Sequence, residues 1–275
     1  MSRAYVVGLS AWAPGMPDLR SFVRGEMSAE VTDPACEWVP SRLMRGGSRL
    51  TKMLGEAAAQ ACAHGGLDPR TVATFYASGY GEIETMVILL DTIFRGDGQL
   101  SPMRFKNSVH NAAAGLCSIG QQNQGFSTAL AAGDRSFEAA MVEALTYLGA
   151  RGGDAVISLA DDSLPEPLVA LDRRASLAIG VALSSERPAN GALAVVELAG
   201  HVEGETARPV SLAGRAVSAE LALSPSAAAL PFVDAVLAKR EGRVPLGWSR
   251  RGLRGQLAPP LGVLVRPDVR EAMDS

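Results

Sequence analysis

The sequence predicts an α/β fold, a mixed sheet covered by helices. Three observations carry this. Twice a β-prone run passes through a small-residue turn into an amphipathic helix, at residues 71–94 and 126–148, the start of a parallel βαβ unit. Two helices, near 50–63 and 111–121, present faces rich in alanine, which suits close packing of a helix on a sheet. Two apolar runs, 176–183 and 193–198, flank Asn190-Gly191 and read as an antiparallel hairpin.

The elements follow in chain order. Ala4–Leu9 is a short apolar run before the Ala13-Pro-Gly15 turn and reads as a buried strand. Residues 16–47 contain Pro17, Pro34 and Pro40, leaving one short helix near Leu19–Arg24. Leu50–Ala63 is a helix with Ser48 as its cap and Gly65-Gly66 as its stop. His64 is expected to meet that helix's last carbonyls. Thr71–Ala77 is a strand, Ser78-Gly-Tyr-Gly81 a turn without the third glycine of a dinucleotide fingerprint, and Glu82–Phe94 a helix packed through Ile83, Met86, Val87, Leu90 and Phe94. Leu100–Phe105 reads as loop. Asn111–Gln121 is a helix, Phe126–Ala131 a strand, and Asp134–Leu148 a helix whose apolar positions step by three and four, with Asp134 as its cap. Ala155–Leu159 is a further buried strand, and Asp161-Asp162 after it reads as a solvated loop. A helix over about Ser226–Lys239, with Pro231 in its first turns or at a kink, and a loosely ordered 256–275 close the chain.

Composition bounds the function. The chain has 275 residues, 28.6 kDa and a net charge of −3, which gives no basis for general nucleic-acid binding. Cys36, Cys62 and Cys117 are scattered, without metal or disulfide spacing. No basic-then-apolar leader opens the chain and no apolar run is long enough to span a membrane, so a cytoplasmic protein without metal or cofactor is expected.

The stretch Asn107–Tyr147 carries the chemistry. A strand turning sharply into a helix presents a nucleophile to the helix N-terminus, where free N–H groups stabilise negative charge. Here the turn residue is Ala132, which has no nucleophilic atom. Phe126-Ser-Thr-Ala-Leu-Ala-Ala132-Gly-Asp-Arg135 resembles the phrase Tyr-Ser-Val-Ser-Thr-Ala-Cys-Ala-Ser-Gly of the β-ketoacyl synthases, of the thiolase superfamily. Without gaps the family's cysteine falls on Ala132; a two-residue gap puts it on Leu130. Ser101-Pro102 and Asn107-Ser-Val-His-Asn-Ala-Ala-Ala-Gly115 resemble a smaller group, the short ketosynthase-like chain length factors of aryl polyene and xanthomonadin-type pigment clusters.

The resemblance implies a thiolase-like fold equivalent to the N-terminal half of a ketosynthase, with a mixed five-stranded sheet. It divides the chain into residues 1–202 and a C-terminal extension 203–275 packed on them, partly irregular. It also implies what is missing. A ketosynthase is much longer, and its second half supplies two histidines; here no Gly-Thr-Gly-Thr or Asn-Ser-Phe-Gly-Phe-Gly phrase follows residue 150, and the histidines are His64, His110 and His201. The expectation is therefore a non-catalytic subunit paired with a full-length β-ketoacyl synthase as a heterodimer, shaping the end of its acyl tunnel. Met103, Phe105, Asn107, His110, Leu116, Phe126, Ser127, Thr128 and Leu130 are the candidates for tunnel or interface. Arg243, Arg250, Arg251 and Arg254, near Trp248, could meet an acidic acyl carrier protein or form a solvated tail. Two rival readings stand beside this one. The first is an acyl-thioester hydrolase or acyltransferase using Ser127 or Cys117 with His110, although Cys117 reads as a core thiol. The second is a homodimeric acyl-binding module.

Overall fold

The computed structural model describes residues 3–36, 38–96, 98–170, 173–202, 211–247, 251–252, 255–256 and 259–268. Its centre is an eight-stranded sheet. The strands are β1 (Arg3–Trp12), β2 (Ala73–Ala77), β3 (Ser127–Leu130), β4 (Asp154–Asp161), β5 (Leu177–Ser184), β6 (Ala194–His201), β7 (Gly242–Pro245) and β8 (Leu261–Arg266). They lie in the order β3-β2-β4-β5-β1-β6-β8-β7. β3, β2 and β4 are parallel and the remaining neighbours antiparallel.

Helices cover both faces. On one side α3 (Arg49–Gly65) lies across β1, β4 and β5 and meets α6 (Ala112–Gln121). Ser48 caps α3 by accepting from Thr51 N, and Gly66, at φ +66°, ends it. Ala57, Ala58 and Ala61 are fully buried. The helix comes so close that a Cβ on Gly180 would stand 2.3 Å from Ala57 O. On the other side lie α1 (Leu19–Arg24), α7 (Ser136–Arg151) and α8 (Leu230–Leu237). Phe137, Met141, Leu145, Phe232 and Val233 share one core there with alternate residues of the strands, such as Phe75 and Ile157. Tyr76 and Val156 belong to the α3 side, as the two-residue period of a strand requires.

Several expectations are corrected. The sheet has eight strands, not five, because β7 and β8 extend it beyond β6; Leu261–Arg266 is thus a paired strand within the segment expected to be loose. β5 and β6 are not a hairpin: β1 lies between them and pairs with both. A strand buried almost throughout competes better for the centre of a sheet than a turn signal does for adjacency. Residues 102–107 are not loop but α5 (Pro102–Asn107), because Ser101 accepts from Arg104 N and proline suits a first turn. Asp134 lies inside a 3-10 turn, Gly133–Arg135, rather than at the cap of α7. His64 Nδ1 meets Leu9 N (3.2 Å) and Leu9 O (3.0 Å) of β1, not its own helix's last carbonyls. In α4 (Ile83–Arg95) the apolar stripe does not face the core: Met86, Leu90, Ile93 and Phe94 are exposed, and only Thr85 and Leu89 are buried.

Candidate functional site

The turn after β3 holds Ala132 at φ −144° and ψ 28°, followed by Gly133 at φ +57°. The Ala132 methyl is exposed. Its backbone N–H donates to Ser136 Oγ at 3.0 Å, and Ser136 Oγ in turn lies 2.8 Å from Gly133 O and 3.1 Å from Ser78 O. An oxyanion site needs a free N–H aimed at the developing charge. At this turn that donor is already engaged, and the side chain offers no atom to attack with.

Asp161, expected in a solvated loop, is 1% exposed. Its Oδ1 accepts from Ser78 Oγ (2.9 Å), Gly79 N (2.7 Å) and Tyr80 N (3.1 Å), and its Oδ2 from Ser226 Oγ (2.6 Å). Burial pushes its pKa up to about 6 against the pull of those donors. The carboxylate thus ties the end of β4, the loop after β2 and residues 225–226 into one knot beside the Ala132 turn. Gly79 is needed there, since a Cβ would stand 2.6 Å from Pro225 Cβ. Asp162 pairs with Arg49 and accepts from Ser176 Oγ (2.6 Å). Nothing in the sequence around Asp161 marks it, because its partners are 65 and more than 80 residues away.

The residues of the rival catalytic sets are not brought together. Ser127 sits at the start of β3, accepting from Thr74 Oγ1 at 2.8 Å. His110 is exposed and lies against Gly81, beyond the other end of β2 (a Cβ there would be 3.8 Å from its Nδ1). The strand length between them is roughly 10 Å at ~3.3 Å per residue. Cys117 is fully buried in α6, and burial pushes its thiol up to about 12. Cys62 is raised to about 12 and Cys36 to about 11 by the same cause. Such thiols are poor nucleophiles.

The remaining candidates lie on both sides of one sheet edge: Phe126 and Leu130 toward α7, and α5 and α6 on the α3 side. Among the described residues β3 is an edge strand, paired with β2 alone. Thr74 N donates to Phe126 O and Ser78 N to Leu130 O, so even-numbered residues turn their backbone groups toward β2. Ser127 and Ala129 therefore aim theirs out of the sheet. Phe126 anchors the strand by stacking on Tyr147 (4.8 Å between centroids) and touching Phe75. Thr128 and Leu130 are half-buried, as is Leu116 on α6. Met103 and Phe105 of α5 are exposed, whereas Asn107 is buried and donates from Nδ2 to Gly46 O at 2.6 Å. Among the described residues, eleven of the thirteen exposed large hydrophobic residues lie from Tyr80 to Phe126.

Arg243 lies on β7; Trp248, Arg250 and Arg254 fall outside the described residues, as does the side chain of Arg251. Among the described residues no group of His, Cys, Asp or Glu is placed to hold a metal ion, and no helix is long and apolar enough to cross a membrane.

Residues 21–215 match the model of the β-ketoacyl synthase N-terminal domain. No curated protein matches the chain in sequence. Among solved structures, a ketosynthase in complex with its chain length factor from Xenorhabdus doucetiae superposes with a TM-score of 0.63 at 18% identity, covering 95% of this chain and 98% of the matched one. A β-ketoacyl synthase from Burkholderia phymatum STM815 gives 0.59 at 13% identity, over 88% and 71% of the two chains. The ishigamide ketosynthase/chain length factor gives 0.56 at 16%, over 73% and 68%. At these identities the likeness is one of fold.

Proposed function

The chain belongs to the β-ketoacyl synthase N-terminal domain family, and on that footing we propose that it is a non-catalytic chain length factor. It pairs with a full-length β-ketoacyl synthase and forms part of the wall that ends the partner's acyl tunnel. One observation carries this reading: an unpaired edge strand, framed by exposed apolar side chains, leads into a turn that holds Ala132 in place of a thiol. The surface for a partner is kept and the means of acyl transfer is not.

Supporting observations point the same way. Ala132 N–H is engaged by Ser136, and His110, Ser127 and Cys117 are apart. The nearly equal coverage of the Xenorhabdus match means that its chain is close to this one in length. In this reading Met103, Phe105 and Phe126 meet the partner or its acyl chain, Leu116, Thr128 and Leu130 back them, and Asn107 holds α5 to residue 46. The growing chains are of polyene, polyketide or fatty-acid type and are delivered by an acyl carrier protein in the cytoplasm. Residues 1–202 form the ketosynthase-like unit and 203–275 an extension upon it.

Co-expression with a full-length β-ketoacyl synthase from the same gene neighbourhood tests this. A one-to-one complex that takes up acyl label only on the partner is expected. Acyl label on this chain, or product of unchanged length and yield without it, would overturn the assignment.

A further inference from the structure

This inference rests on the contact face just described and concerns its charge. Residues 38–55 and 98–133 contain no aspartate or glutamate. They hold six of the chain's 26 lysines and arginines, Arg42, Arg45, Arg49, Lys52, Arg104 and Lys106, and none of its 29 carboxylates. In a chain of net charge −3, that is a separation of sign. The fold then brings the two segments together. Asn107 donates to Gly46 O, and a Cβ on Gly46 would lie 3.6 Å from both Lys106 Nζ and Met103 Sδ. The short helix α2 (Ser41–Met44) and α5 both pack on α6.

Among the described residues Arg49 alone of the six is neutralised, by Asp33 and Asp162. Arg42, Arg45, Arg104 and Lys106 are exposed and Lys52 half-buried, and none of these five forms an ion pair among the described residues. Of the nearby carboxylates among the described residues, Glu82 accepts from Ser48 Oγ and from Thr85 Oγ1 (3.2 Å) and forms no ion pair with these cations. Glu56 accepts from Cys36 N (2.5 Å) and Gln60 Nε2 (2.7 Å). At about 100° per residue, Glu84 and Asp91 of α4 lie on the side of the helix away from Met86, Leu90 and Ile93. β3 and α6 carry no charged residue.

A two-fold pair of identical chains sets one face against itself. Charges brought together across this one would be cation against cation, in the apolar setting where repulsion is least screened. A partner presenting carboxylates would instead gain both encounter rate and fit. We propose that this face selects a chain whose apposed surface is acidic and rejects a second copy of itself, so that pairing with a different chain is enforced by charge.

Sedimentation equilibrium at about 50 mM and about 500 mM NaCl tests this, because the lower salt leaves charges at contact distance largely unscreened. The chain alone should be monomeric at low salt and associate as salt rises. Arg45→Glu/Lys106→Glu, which supplies the missing carboxylates at exposed positions, should self-associate about tenfold more tightly than the native chain at low salt. It should also bind the co-expressed β-ketoacyl synthase about tenfold more weakly. Arg42→Glu/Arg104→Glu should act in the same direction, with circular dichroism melting checking that each variant folds. Self-association of the native chain as tight at low salt as at high salt would overturn the inference. So would a heteromeric complex indifferent to salt and to both variants, and that result leaves the proposed function standing. No complex at any salt would remove the proposed function and this inference together.

Discussion

Ala132 lacks a side-chain nucleophile and has its N–H donated to Ser136 Oγ, so an Ala132→Cys variant would carry a thiol without an oxyanion donor or a histidine beside it. That thiol should react with a small disulfide reagent near the ordinary cysteine range, about 8.5, and should take up no acyl label from a reactive acyl thioester. Acyl uptake above background would show that the alanine alone silences the site. Asp161 gives a second prediction. Its folded pKa of about 6 lies above the ordinary 3.8. Below roughly pH 4 both the folded and unfolded chains hold the proton, and between about 4 and 6 only the folded chain does. The stability this group contributes is therefore full below the unfolded value and is lost as pH rises through about 6. Relative to Asp161→Asn, whose amide does not titrate, the urea midpoint of the native chain should fall between about pH 4 and pH 7; a difference that stays flat would mean that folding does not raise this carboxyl's pKa. The sequence shows why Cys117 is inert, since it sits among small and apolar residues of a helix. It does not show that Asp161 is buried: two adjacent aspartates after a strand look solvated, and the inward direction is set by Ser226 and by the loop after β2.

The edge strand makes its own prediction at the scale of the element. Ala129 turns its N–H out of the sheet, and proline removes a donor there without disturbing the ladder to β2. Ala129→Pro should leave the melting temperature nearly unchanged and weaken association with the β-ketoacyl synthase by at least about tenfold, as measured by titration calorimetry. Undiminished binding would place the contact elsewhere. Elements with complete local signals were legible in advance. α3 has Ser48 at one end and Gly66 at the other, and α1 falls where the prolines around it leave room for a helix. The period of α4 identified a helix but not what its stripe faces, because a stripe that meets a partner repeats every 3.6 residues just as one that meets the core does. β6 was legible as a strand, but not its neighbour, because its partners in β1 lie 188 (194 − 6) to 194 (197 − 3) residues earlier in the chain and no local signal reports that.

For the whole molecule, the closeness of α3 to the sheet sets the tolerance of the core. Gly180 leaves 2.3 Å between a would-be Cβ and Ala57 O, a backbone atom that cannot rotate away. Gly180→Ala should destabilise the protein by about 1–3 kcal/mol in urea unfolding, and an unchanged midpoint would mean that α3 can lift. Composition and the alanine faces made the layered α/β class legible, yet sheet width was not, since β7 and β8 lie in a proline-rich stretch that reads as tail. The placement of β1 also bears on how the chain is made. Its two neighbours begin at Leu177 and Ala194, so β1, which ends at Trp12, is hydrogen-bonded on neither side until about 165 further residues (177 − 12) have been made. At roughly 5–20 residues per second that delay is about ten to thirty seconds. For that time the nascent chain displays a ten-residue apolar ribbon with both edges open, which makes β1 the segment that a holding chaperone at the ribosome has the longest opportunity to bind.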